Sequence, residues 1–227
     1  MDEARRPVIP VTPEELLAEV RRQQAAKNPE LFADRERARA RRTVAVAAMI
    51  EHVQRFQPDV QEFSDIEPSS ELAGDVIDRY VATGDAEERT MYELVLAKAI
   101  TAADVPRAVE LVRFEADETR GWALAEIVRL NLTRDAGLVA QLRAVLQDTS
   151  LGIARQPIAM GVGAIATSND REWIEALLTD PDINGHVVVS LRALACPESV
   201  PALKALEDDD RAWVRNEVRR AIRKLER

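Results

Sequence analysis

This chain has little of what disulfide, metal or histidine chemistry requires. Its 227 residues include one cysteine, Cys196, which excludes an internal disulfide framework and a cysteine-lined zinc cage. The flanking Ala195 and Pro197 suggest a small buried side chain at a helix end. There are two histidines, His52 and His186, and neither HExxH, GxSxG nor a phosphate-binding GxxxxGK stretch occurs. Aromatics make up 4% against 46% apolar residues overall, and there are only eight glycines. A core so composed is built from Ala, Leu, Val and Ile, which suits close-packed helices rather than a β-sandwich. The longest apolar run, Val44 to Ile50, is far shorter than the roughly 20 residues that span a bilayer. Met1-Asp2-Glu3 is acidic and no apolar stretch comes after it, so no secretory leader is expected. These absences lead to the expectation of a soluble, cytoplasmic protein with no membrane contact.

Charge is present in quantity but unevenly spread. Residues 1–56 carry 11 basic and 9 acidic side chains, residues 57–210 carry 13 and 29, and residues 211–227 carry 7 and 2. The acidic middle would repel a phosphate backbone over most of the surface, which disfavours duplex nucleic acid as the main ligand. Arginine outnumbers lysine 27 to 4, a mark of a GC-rich bacterial genome rather than of function. Five of the arginines, Arg35, Arg37, Arg39, Arg41 and Arg42, fall in one nearly uninterrupted charged run. That run reads either as a solvated helix face or as a surface for an acidic partner or for the chain's own acidic middle.

In the N-terminal part, Thr12-Pro13-Glu14-Glu15 has the spacing of a capping box, and Leu16, Leu17 and Val20 give the helix an apolar side. Asn28-Pro29 restarts the chain, and Val46, Met49, Ile50, Val53 and Phe56 recur at helical intervals. Residues 58–69, with two prolines and several acids, read as a linker between an N-terminal helical extension (1–57) and the larger C-terminal part of the chain (70–227).

A repeat begins at about residue 70. Arg211-Ala212-Trp213-Val214-Arg215-Asn216-Glu217-Val218 lies over Arg120-Gly121-Trp122-Ala123-Leu124-Ala125-Glu126-Ile127, matching at Arg, Trp, Glu and a branched aliphatic. In that register Met91, Trp122, Ile153, His186 and Trp213 form one column, separated by 31, 31, 33 and 27 residues. The next position holds Tyr92, Ala123, Ala154, Val187 and Val214. Four further on come Leu96, Ile127, Ile158, Leu191 and Val218, and at seven come Ala99, Leu130, Gly161, Leu194 and Ala221. That spacing predicts a core stripe on five helices. Each is preceded by a shorter apolar helix, near 71–83, 104–114, 136–147, 170–179 and 198–207. Units of this kind bury their faces only against neighbours, the logic of a solenoid. Starts are marked at Asp85-Ala86-Glu87-Glu88, at Asp104-Val105-Pro106 and at Asn169-Asp170-Arg171-Glu172. The unit at 148–167 departs from the pattern: Gly152, Pro157, Gly161 and Gly163 predict a helix that begins late or is kinked, with Gly161 allowing close packing.

Val200-Pro201-Ala202-Leu203-Lys204-Ala205-Leu206-Glu207-Asp208-Asp209-Asp210-Arg211-Ala212-Trp213-Val214-Arg215, a helix, an acidic turn and then Val-Arg, resembles the HEAT repeat family. It is especially similar to the short bacterial repeats of phycobilisome lyases. The resemblance covers about 70–227 and implies an all-α fold, a right-handed α-α superhelix, here with an N-terminal helical extension. It says little about activity, since such folds carry scaffolds, inhibitors and some enzymes.

Several motifs have a plainer explanation. Gly161-Val162-Gly163-Ala164-Ile165-Ala166 fits a dinucleotide fingerprint but falls late in a helical repeat, not after a strand. Asp180-Pro181-Asp182-Ile183-Asn184-Gly185 begins like a calcium loop, yet its twelfth position is Leu191, so a turn is expected. Asp208-Asp209-Asp210 reads as an acidic lead into a helix. No catalytic residue, metal or cofactor is assigned.

The function expected is a non-enzymatic protein-binding or adaptor module. In HEAT-like stacks the second helices usually line the concave face. The resemblance therefore puts Met91, Trp122, Ile153, His186 and Trp213, flanked by Glu126, Arg155 and Arg215, against a protein partner. An enzyme or enzyme accessory on the same fold, glycosylase-like through Trp122, Trp173 and Trp213 or lyase-like, is the alternative, and nucleic-acid binding through the arginine run a weaker third.

Overall fold

The structure, a computed structural model, describes residues 13–227. Every described element is helical, and there is no strand among the described residues. The chain divides into two compact units, Met1–His52 and Val53–Arg227.

The first unit contains α1 (Pro13–Lys27) and α2, which runs Pro29–Val53 and so ends at the boundary. The expected capping box from Thr12 to Glu15 lies outside the described residues. The restart at Asn28-Pro29 has a simple cause: the Asn28 side chain accepts from the Leu31 amide at 3.1 Å, and Pro29 takes the first helical position. Leu17 and Val20 are exposed, and so are all five arginines of the run. Arg37 pairs locally with Asp34.

The second unit has ten helices in five pairs: α3 (Ser70–Ala82) with α4 (Ala86–Ala99), α5 (Val105–Phe114) with α6 (Glu118–Leu130), and α7 (Ala136–Gln147) with α8 (Gln156–Gly161). The last two pairs are α9 (Arg171–Ala176) with α10 (Asn184–Leu194), and α11 (Val200–Lys204) with α12 (Ala212–Leu225). Their starts are chemically marked. Ser69, Asp85, Asp117 and Asp135 each accept from backbone amides of the first turn. At 169–172 the expected box lies two residues too far along: Thr167 and Asp170 form the reciprocal pair, opening a 3-10 turn before α9. Within a pair the first helix packs on the second, and α4, α6, α8, α10 and α12 each pack on the next of that row. The first helices α3, α5 and α7 form a second row, and α7, with 12 residues, is longer than its partner α8, with 6, against the expectation of a shorter first helix.

The stripe explains this order. Leu96, Ile127, Ile158, Leu191 and Val218 are all buried; of the row four positions before them, Tyr92, Ala154, Val187 and Val214 are buried and Ala123 is half-buried. Burying such side chains contributes about 1.5–3 kcal/mol each. The third row needs a correction: Ala99 and Ala221 are buried, but Gly161 and Leu194 are half-buried and Leu130 is 66% exposed. Leu130 is the last residue of α6, and Arg129 and Leu132 are the side chains that face Gly161.

The segment 58–69 holds no α-helix, yet it is tied down. Val60 and Ile66 are buried, and Gln57 clasps Glu67 in both directions, its side chain donating at 2.8 Å and accepting at 3.0 Å. The glycine-rich unit resolves as a late start. A 3-10 segment, Thr149–Arg155, is broken at Gly152 (φ 48°), and α8 then begins with Pro157 in its first turn. Gly163 makes the tight approach: a Cβ there would lie 2.0 Å from the Ser190 carbonyl oxygen of α10.

Candidate partner-binding site

The site is built on the starts of the second helices. At α6, the Asp117 carboxylate accepts from the Arg120 amide at 2.9 Å, fixing the turn that presents Trp122. At α12, Asp209 binds the Arg211 amide and guanidinium, which pull its carboxyl down to about 2. Of the three aspartates, Asp209 thus grips the arginine rather than simply facing the helix end. Arg211 then reaches back to the preceding pair, donating to the Pro181 carbonyl at 2.9 Å and the Asn184 side chain at 2.6 Å. Its counterpart Arg120 makes the same move, donating to the Ala86 carbonyl at the start of α4 at 3.4 Å. Equivalent residues three pairs apart each reach back to the pair before.

The column itself is mixed. Trp122, Ile153 and Trp213 are 39%, 39% and 44% exposed, unusual for large apolar side chains beside a core stripe. Trp122 and Ile153 are held close by the packing of α6 on the segment before α8. A Cβ at Gly121 would meet the Ala154 Cβ at 2.9 Å, and the Ile153 amide donates to Glu118 on α6 at 2.7 Å. Further along, the Trp213 ring lies on Gly185, where a Cβ would come within 2.2 Å of it. His186 is half-buried, its ring 5.2 Å from that of Trp213. Burial, and then the nearby Arg211, lower its pKa from 6.5, so the imidazole is neutral at pH 7. Arg211 lies over the other aromatic, 5.9 Å from the Trp213 centroid.

Two expected members are corrected. Met91 is buried, taken into the core by α4, and cannot reach a partner. Arg155 is wholly buried: it donates to the carbonyls of Gly152 and Leu146, both at 3.0 Å, and pairs with Asp180 at 2.6 Å. It pins the turn ahead of α10 rather than flanking a surface. Glu126 is half-buried and bound to Arg129. Arg215 is half-buried and donates to the carbonyls of Asp209 and Asp210, at 2.5 and 2.9 Å, so both rim charges are partly engaged.

Other motifs resolve. Asp180 to Gly185 is a turn whose first carboxylate serves Arg155 and the Asp182 amide. Among the described residues no three His, Cys, Asp or Glu are grouped to hold a metal ion. The glycine pattern at 161–166 lies at the end of α8 and in the 3-10 turn after it, without the preceding strand a dinucleotide needs. Trp173 belongs to α9, a first helix, with its indole N–H on Asp170 and Arg143 over its ring. Cys196 is buried just after α10. No described helix is long and apolar enough to cross a membrane.

Sequence reasoning missed one buried polar cluster. Tyr80 on α3 donates to Glu115 at 2.5 Å, and Glu93 on α4 lies 3.2 Å from the same hydroxyl. Arg89 pairs with Glu115 at 3.1 Å. Its members come from α3, from α4 and from the residue after α5, so no single sequence spacing announces it. Comparison with known proteins gives no further lead: no protein-family model, curated protein or solved structure matches the chain.

Proposed function

We propose that the chain is a non-enzymatic adaptor. On this reading residues 70–227 form a HEAT-like right-handed superhelix that presents one strip to a protein partner. Trp122, Ile153, His186 and Trp213 make the contact, with Glu126 and Arg215 at its edge. One observation carries the reading. Large apolar side chains stand part-exposed at equivalent positions on α6, α12 and the segment leading into α8, in a region otherwise well packed. Aromatics so held, with one face supported and one free, are the usual anchors of protein interfaces.

A photo-crosslinking residue placed at position 122 should capture a discrete protein in cells expressing the chain. The same residue at Val81, equally exposed on α3, should not. Equal capture from both positions, or none from position 122, would reject the strip.

A further inference from the structure

The chain has one positive end on a predominantly acidic unit: residues 57–210 carry 29 acidic and 13 basic side chains, residues 211–227 two and seven. The cations gathered there are poorly matched by anions. One carboxylate, Glu217, serves both Arg192 of α10 at 2.7 Å and Arg220 at 2.6 Å. Lys224 donates to the Arg192 carbonyl at 3.1 Å, a neutral acceptor. Arg223 donates to the Arg219 carbonyl at 3.2 Å, and Arg219 reaches only the Asn216 side-chain oxygen at 3.4 Å. Among the described residues neither Arg219 nor Arg223 has a carboxylate in ion-pair range.

These two arginines stand four apart on α12, where like charges are neighbours and weaken a helix. They line a surface groove with Arg220, Asn216, Glu207 and the buried side chain of Ile222. Guanidinium groups with free N–H donors bind carboxylates in pairs, and Ile222 offers an apolar floor between them. A long polyanion would extend over the acidic remainder of the unit and be repelled. A peptide of a few residues keeps its charge within about 8–10 Å, the screening length at physiological salt.

We propose that this groove docks a short acidic segment of a partner protein, with Arg219 and Arg223 clamping two of its carboxylates. The groove shares α12 with Trp213, but no residue of the tryptophan strip lines it. A fluorescein-labelled Glu-Glu-Leu-Glu-Glu peptide, titrated with the full chain and followed by anisotropy, tests it. Saturable binding is expected that weakens with added salt. The double variant R219E/R223E should lose at least tenfold in affinity and R219K/R223K much less, while R113E on α5 should match the parent chain. Circular dichroism melts of each variant verify that these exposed changes leave the fold intact, and R219Q/R223Q replaces the reversal if it does not. The proposal fails if the peptide does not bind or if the double variant binds it as well. Tighter binding of an oligonucleotide of equal charge would also overturn it. So would self-association of the chain that the double variant abolishes, because a second copy would then be the occupant.

Discussion

Arg155 is the largest fully buried side chain among the described residues, and its charge is met by Asp180 and by two backbone carbonyls. Removing one partner of such a pair leaves the other charge and the carbonyls unmatched in a dry setting. Arg155→Ala should therefore cost about 3–5 kcal/mol, read as a shift in the denaturation midpoint. A cost below about 1 kcal/mol would mean that the pin at the α10 turn does not hold the fold. The Tyr80 cluster makes a different demand. A hydroxyl has one proton to give, and Glu115 is the nearer acceptor, so Tyr80 offsets only part of the cost of burying a charged Glu93. Burial pushes Glu93 above its ordinary 4.5, more than the Tyr80 hydrogen bond and Arg120 pull it down, with Glu115 and Asp117 adding to the rise. A raised folded-state pKa contributes stability that is complete below 4.5 and is lost as pH climbs through the folded value. Urea melts across that range should show this loss, and Glu93→Gln should remove it. A variant that kept the parental pH profile would place the titration elsewhere. Neither residue could be read from spacing. Arg155 looked like a flank of the site because the repeat aligns it with Arg215, and only its surroundings show it to be internal.

At the scale of elements the periodic signal was dependable where side chains meet along whole helices. The column from Leu96 to Val218 is buried on all five second helices, and the first helices lie close to where their apolar runs placed them. Ile127→Ala and Leu191→Ala should each cost about 2–5 kcal/mol, with Leu191 toward the upper end because it is completely buried. Thermal or chemical melts of the two variants would measure it, and a loss under about 1 kcal/mol at both would contradict the shared stripe. The signal failed at helix ends, where register depends on what the next element leaves open. Leu130 fell outside because α6 stops there. The break at Gly152 was only half visible: its glycine was plain, but the left-handed backbone and the carboxylate beside it were not. A Cβ there would meet Glu118 Oε1 at 1.9 Å on a backbone that L-residues rarely adopt. Gly152→Ala should cost ~1–3 kcal/mol. If its melting temperature equalled the parent's, α6 and the segment before α8 would be free to part at little cost.

For the whole molecule, the sequence indicated a row of helices with an exposed apolar column better than it indicated what the column is for. Composition and repeat phase are properties of every residue, so they survive local exceptions. A binding face rests on a few side chains whose exposure is decided by packing. The structure divided the expected column, taking Met91 inside and leaving Trp122, Ile153 and Trp213 part-open. The two tryptophans also differ: the Trp213 ring fills the space over Gly185 beside His186, so its loss must disturb packing. Trp122 is therefore the cleaner probe. The decisive measurement is the affinity of the crosslinked partner for Trp122→Ala, taken with the thermal melt of the same preparation. The adaptor reading predicts a loss of about 2 kcal/mol in binding, roughly 30-fold, with the melt close to the parent's. A lowered melt with unchanged affinity per folded molecule would make Trp122 a packing residue and put the binding face elsewhere.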